Sequence, residues 1–275
     1  MGKLLMQQGV SQRRAAQLLG MHRSSLRYQN KPRSPSTAAL TARIRALAEQ
    51  YPTYGYRGIH VVLRQERWQV NRKRVHRIWK HEQLIRKPAV KRKRLRTGNS
   101  VPERAEYPNH VWSYDFVFDE ISGGQKLKFL TLVDQFTREC LALEVGVSFT
   151  SKDVQEVLER VMTLRGVPVY LRSDNGPEFI AHDLQIWLGV SGTRARYIEP
   201  GKPWQNGFSE SFHARFREEC LNREVFSSLL EAKVVSGAFQ RFYNEERPHS
   251  ALQYLAPLEF RRRWEAQQAE LKVVA

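Results

Sequence analysis

The sequence has two cysteines, Cys140 and Cys220, and no CxxC pair, which excludes a disulfide framework and a cysteine-rich zinc site and leaves buried free thiols. No run of about 18 apolar residues occurs, and Met1 to Val10 lacks the apolar stretch of an export signal, so a cytoplasmic setting is expected. Acids are scarce at one end. Residues 1–107 hold 25 lysines and arginines against 5 acids, net +20, whereas residues 108–275 hold 20 against 23, net −3. Such asymmetry is the pattern of a polyanion-binding module tethered to a separate unit, and nucleic acid is the expected polyanion. With 41% hydrophobic residues over 275 positions, the chain is long enough for one sizeable core with appendages.

The first 35 residues read as two short helices about a turn: Ser11 caps the first, Ala15, Leu18 and Leu19 line it, Gly20 turns the chain and Leu26 anchors the second. In a helix-turn-helix of this kind His22, Arg23, Ser24, Ser25 and Arg27 face a major groove. An ordinary basic helical hairpin is the competing reading, and the charge asymmetry favours DNA. Residues 36–90 read as a second helical unit. It has helices at Ala38 to Gln50, Gly55 to Arg64 and Asn71 to Lys80. Val75, Ile78 and Trp79 make one face of the last, while Arg72, Lys73, Arg74, Arg77 and Lys80 make the other cationic. Residues 91–106, with Lys91-Arg92-Lys93-Arg94 and no apolar period, read as a basic linker, a composition that a nuclear-import signal shares.

From about residue 107 the pattern changes. Trp112, Tyr114, Phe116 and Phe118 alternate with Val111, Ser113, Asp115, Val117 and Asp119, a strand with an acid in its middle. Asp119 stands four residues along the same face, about 13 Å away at ~3.3 Å per residue, too far to share a metal with Asp115. Two further strands, Lys126 to Phe136 and Glu139 to Phe149, complete an expected antiparallel meander. Thr150-Ser151-Lys152-Asp153 opens a helix that Gly166 ends. A strand from Val167 to Ser173 then delivers Asp174 at its tip, and a helix from about Glu178 and a strand at Arg194 to Ile198 lead to a loop before Glu210. Glu210 stands on a helix whose Phe208, Phe212, Phe216 and Cys220 make one stripe. Arg217, seven residues on, lies about 20° from Glu210. Alone, Glu210 reads as a solvated helix carboxylate. With Asp115 and Asp174 it completes three acids suited to two divalent ions and phosphodiester chemistry.

Asp174 and Glu210 have 35 residues between them, and the strings Ser173-Asp174-Asn175-Gly176-Pro177-Glu178-Phe179, Lys202 to Phe212 and Tyr243-Asn244-xx-Arg247-Pro248-His249-Ser250-Ala251-Leu252 surround and follow them. In these features the chain resembles the second-frame (OrfB) products of bacterial insertion sequences of the IS-three group, within the DDE transposase and retroviral integrase superfamily. The resemblance implies an α/β, ribonuclease H-like core with a mixed five-stranded sheet over residues 107–268, preceded by all-α helix-turn-helix modules and followed by a tail at 269–275. It implies Asp115, Asp174 and Glu210 as catalytic metal ligands for two Mg²⁺ or Mn²⁺ ions, Lys202 and Asn206 as contacts to the DNA end, and Arg217 as a phosphate clamp. Cleavage at element ends and strand transfer are the implied reactions. Double-stranded DNA, further copies of the chain and a first-frame (OrfA) product are the implied partners, in a nucleoid-associated bacterial setting. The zinc module of retroviral integrases has no ligand pattern here. A non-catalytic DNA-binding regulator and a structure-specific nuclease on the same core are the alternatives; the first has no use for three placed acids, and the second would not join a 3′-hydroxyl to new DNA.

Overall fold

A computed structural model of the protein describes residues 2–27, 35–85, 104–199 and 203–274. The helices α1 (Gly2–Gln7), α2 (Gln12–Leu18) and α3 (Arg23–Arg27) come first. The Ser11 hydroxyl accepts from the Arg14 amide at the start of α2, and Gly20 turns the chain at φ +60°. Next come α4 (Pro35–Gln50), α5 (Tyr56–Gln65) and α6 (Arg72–His81), around a core of Leu40, Ile44, Leu47, Ile59, Leu63, Val75 and Trp79. Asn71 caps α6 through the Lys73 amide at 2.8 Å. Arg43 and Arg45 of α4 reach Glu66 and Glu82 at the ends of α5 and α6, fastening the three helices from outside.

The remainder is built on a five-stranded sheet of β1 (Val111–Glu120), β2 (Lys126–Asp134), β3 (Cys140–Gly146), β4 (Tyr170–Ser173) and β5 (Arg194–Tyr197), in the order β3-β2-β1-β4-β5. The first three pair antiparallel, and β4 and β5 run parallel to β1. This mixed order is the expected ribonuclease H-like arrangement. Alternation along β1 sends its two sets of side chains into two cores. Trp112 and Tyr114 join Leu130, Leu132 and the apolar faces of α7 (Ser151–Arg165) and α8 (His182–Val190), while Val117 joins Phe129 and the faces of α9 (Gly207–Glu219) and α10 (Leu229–Glu245). Helices therefore cover both faces of the sheet. A capping box between Thr150 and Asp153 starts α7, and Gly166 at φ +94° ends it.

The carboxyl-terminal elements are locked on by buried polar groups. The Asn244 side chain accepts from the Cys140 amide and donates to its carbonyl, both at 2.9 Å, fixing the end of α10 to the start of β3. Glu139, fully buried, meets Arg165 and Arg261 at 3.1 Å each, and the rings of Phe260 and Trp264 pack on Phe136. Phe260, Arg261 and Trp264 belong to α11 (Pro257–Val274), which runs to Val274 and so into the stretch expected as a tail at 269–275. No glycine or proline follows Pro257, so nothing in the sequence stops it. Tyr51 at the end of α4 stacks on Phe242 of α10 with centroids 6.3 Å apart, joining the helical unit to the sheet-bearing part.

Candidate active site

Strand register brings the first two acids level. Ser113 pairs with Arg172 in the parallel β1–β4 ladder, so two residues further on Asp115 stands opposite Asp174, which sits just past the last residue of β4. Adjacent strands lie about 4.8 Å apart, which makes these carboxylates neighbours across the strand boundary. In the antiparallel direction Asp115 faces Thr131 of β2. Asp174 ties one oxygen to the Gly176 amide at 3.0 Å, which closes the turn after the strand.

The third acid arrives on α9. Asn206, immediately before this helix, donates from Nδ2 to Asp115 Oδ2 at 2.7 Å, which pins the helix start to the middle of β1. Glu210 is one turn further on, followed by His213 and Arg217, so all four lie on one stripe at helical spacing. The opposite stripe, Phe212 and Phe216, is buried against Phe129 and holds that stripe toward the strand tips.

A polar chain supports Asp115 from below. The Thr131 hydroxyl donates to the Asp115 carbonyl at 2.9 Å, so its oxygen must accept from His213 Nε2–H, 2.8 Å away. His213 Nδ1 then carries a lone pair, 3.8 Å from Asp115 Oδ2. Burial, reinforced by the nearby Arg217 charge, pushes His213 down to about 4, so the ring is neutral at pH 7 and the approach is no ion pair. Burial pushes the Asp115 carboxyl up to about 6; hydrogen bonds from Asn206 and the Phe116 amide oppose this, and the negative charges of Asp174 and Glu210 add to it. The charges of Asp174 and Glu210 thus reach Asp115 from two other elements.

Their donor chemistry suits a hard divalent cation, since all are oxygens and their mutual repulsion is what such an ion relieves. Asn206 Oδ1, buried with no hydrogen-bond partner, adds a further oxygen beside Asp115. Among the described residues no three His, Cys, Asp or Glu side chains are drawn tightly enough together to hold a metal by themselves. Asp115 is engaged by Asn206 and the Phe116 amide, and Asp174 by the Gly176 amide. The residues fit the ion in kind and in neighbourhood.

Two family models, both described as integrase core domain, match residues 105–203 and 191–257, and one described as HTH-like domain matches residues 36–94. The insertion element IS407 uncharacterized 31.7 kDa protein of Burkholderia multivorans is 41% identical over 256 residues, covering 91% of this chain and 90% of that one. The transposase InsD for insertion element IS2D of Escherichia coli is 30% identical over 236 residues, covering 80% and 77%. The chain belongs to the insertion-element transposases of the IS-three group. Among solved structures, the HTLV-2 integrase catalytic core domain in complex with magnesium aligns with 57% of this transposase and 99% of its own length, at 16% identity and a TM-score of 0.44.

The other residues singled out in the transposase sequence scatter. On α3, Arg27 is drawn back to Gln12 at 2.9 Å, and His22 Nδ1 takes the Ser24 amide and lies 2.7 Å from its hydroxyl, so Arg23 is the outward cation there. On α6, Arg72, Lys73, Arg77 and Lys80 are exposed on the face opposite Val75 and Trp79, while Arg74 donates to Thr37 at 2.8 Å. Arg217 is exposed and donates to the Phe118 carbonyl at 3.1 Å; Glu218 pairs with Arg215 instead. Asn206, expected at the DNA end, is turned inward onto Asp115. Lys91, Arg92, Lys93, Arg94 and Lys202 lie outside the described residues. His213 and Thr131 were not singled out from the sequence. The signals were there: His213 is three residues from Glu210 on a helix, and Thr131 is the cross-strand partner of Asp115.

Proposed function

We propose that Asp115, Asp174 and Glu210 are the catalytic carboxylates of a DNA strand-transfer reaction, acting with two Mg²⁺ or Mn²⁺ ions on the ends of an insertion element. The observation that supports this reading is geometric: the β1–β4 register sets Asp115 level with Asp174, and Asn206, bonded to Asp115, fixes the start of the helix that carries Glu210. When bound, the ions would supply Lewis-acid activation of the attacking oxygen and charge stabilisation of the departing one. The chain's own residues do the placing. Asp115 is held rigidly from the strand side by Thr131 and His213, Asn206 sets where the first turn of α9 lies, and Glu210 follows from that turn. The reaction is an in-line displacement at phosphorus: a water oxygen bonds to phosphorus as the P–O3′ bond breaks, freeing a 3′-hydroxyl, which then attacks a target phosphodiester in the same way. Arg217, on the Glu210 stripe, meets a phosphate drawn to that face. The exposed cations of α6 hold the duplex by its backbone, and Arg23 on α3 reaches into a groove. Action on two element ends calls for more than one copy on DNA, and a first-frame product is a further partner.

The test is strand transfer of labelled candidate element ends into plasmid with Mg²⁺. Asp115→Asn, Asp174→Asn and Glu210→Gln each lose activity on the order of a thousandfold while duplex affinity stays within about twofold. Asp119→Asn, four positions from Asp115, is mild. An active triad variant would refute the assignment; cleavage without joining would point to a nuclease.

A further inference from the structure

The motif Tyr243 to Leu252 has no part in the chemistry above. Several of its members have packing tasks: Tyr243 is in the core, Asn244 clamps Cys140, and Arg247 forms a two-pronged, buried pair with Glu219 at 2.6 Å. His249, whose ring meets Tyr243 edge-on, and Ser250 leave polar side-chain atoms over. His249 Nδ1 is buried without a hydrogen-bond partner, Ser250 is exposed, and both line a cavity of roughly 290 Å³ with Arg138, Phe208 and Ser211.

Arg138 is the unusual member. It sits in the β2–β3 turn at φ +64°, its Nε is buried without a partner, and its guanidinium lies 4.1 Å over the Phe208 ring. Burial pushes it down to about 10. The carboxylate in its own turn, Asp134, is already committed to the amides of Asn109, Phe136 and Thr137 at 2.7, 2.8 and 2.9 Å. Among the described residues Arg138 has no ion-pair partner, a costly state for a buried cation, whereas Arg247 and Arg261 are each matched by an acid. No acid lines the cavity, and α9, whose first turn borders it at Gly207 and Phe208, has no side-chain cap. Guanidinium, imidazole and hydroxyl donors gather there, and no acid among the described residues lines the space with them.

We propose that this cavity is a phosphate-binding site that receives a backbone phosphodiester of the DNA strand running from the catalytic carboxylates. The identification of the phosphate as DNA rests on the function proposed above. Placement supports it: Gly207 on the cavity wall is next to Asn206, which bonds Asp115. A second cavity shares Ser211, His249 and Ser250 and is lined also by Arg57, Arg215 and the Arg247–Glu219 pair, so the two together run from the first turn of α9 to the start of α5.

The test uses the full chain and Arg138→Met, which keeps the length over Phe208 and removes the charge. Inorganic phosphate raises the melting temperature of the unchanged protein and not that of the variant. In duplex titrations across salt, the variant's slope of log K against log salt falls by about 0.9, the value of one phosphate contact. A variant that keeps both the phosphate response and the slope overturns the proposal. A lost phosphate response with an unchanged slope overturns the DNA assignment in favour of a free anion. If Arg138→Met folds poorly, His249→Gln must lose the same responses. The phosphate arm needs neither DNA nor catalysis, so a chain that fails strand transfer but shows an Arg138-dependent response would sink the proposed function and leave this site standing.

Discussion

On α6, Arg72, Lys73, Arg77 and Lys80 stand exposed with no ion-pair partner among the described residues, whereas Arg247 and Arg261 in the sheet-bearing part are sealed against Glu219 and Glu139. The same residue type thus has two fates in one chain. At Arg247 the cation is matched internally, and its removal leaves the buried Glu219 charge alone, a loss of about 3–5 kcal/mol. On the helices, a cation is left in water, adds little to folding and stays available to a polyanion. In the helical unit Glu66 and Glu82 reach Arg43 and Arg45 of α4, and Glu82 also meets His81 at the end of α6.

The strongest way to break that comparison is to separate the halves. A fragment beginning at Tyr107 keeps the sheet, both cores and the three acids, and is expected to fold with the Phe242 ring newly exposed. It should lose end-specific duplex binding and most of the salt dependence, by ~0.9 in slope for each phosphate contact removed. Fluorescence titrations of both proteins on end and scrambled duplexes at several salt concentrations decide it; a fragment with the full slope places recognition in the core.

Next in size is a paired substitution. Glu139→Gln removes the buried acid shared by Arg165 and Arg261, leaving Arg261 only its half-exposed pair with Glu265, and should lower unfolding free energy by about 3 kcal/mol, whereas Lys80→Ala should change it by less than about 0.5 kcal/mol while weakening all duplexes alike. Urea unfolding of the two variants gives the contrast, and equal losses would abolish the distinction.

Asp115 sharpens the comparison within the core, as a buried acid without a cation. Its carboxyl is raised from 3.8 to about 6, so the protonated form is the one folding favours. That contribution is complete below about pH 4 and is lost as pH rises through 6. Asp115→Asn should therefore match the unchanged protein near pH 4 and exceed it above pH 7, by up to about 3 kcal/mol. Added Mg²⁺ should narrow the gap. Denaturation of both proteins from pH 4 to 8, with and without Mg²⁺, reads this out, and a constant difference would contradict it.

Arg217→Ala has the smallest expected effect on folding, under about 1 kcal/mol, because the residue is exposed and gives up one hydrogen bond to Phe118. Its loss should appear in strand transfer at saturating DNA; unchanged turnover would return Arg217 to the surface.

Much of this was legible in the chain. Alternation along β1 foretold a strand with two distinct faces and Asp115 in its middle, and Thr150 with Asp153 foretold the start of α7. Element ends were less legible where a side chain ends the pattern. The strand expected to reach Phe136 stops at Asp134, whose carboxylate captures the next amides and turns the chain. The helix expected from Glu178 begins at His182, because Gly176 to Ile180 closes a turn of its own. The three acids could be placed on their elements from local pattern alone. The Thr131–His213 support and the unmatched Arg138 could not, since each depends on how α9 docks against strands more than 60 residues earlier in sequence.

The stripe of Asn206, Glu210, His213 and Arg217 sets where this chain can change length. One residue inserted between Gly207 and Glu210 turns everything after it by about 100°, which carries Glu210 off the strand tips while Asn206 keeps its hold on Asp115. Residues added in the loop ahead of Asn206 lengthen the tether and leave the phase of the helix alone. The transposase should therefore tolerate insertions on one side of Asn206 and none within the turn that follows it.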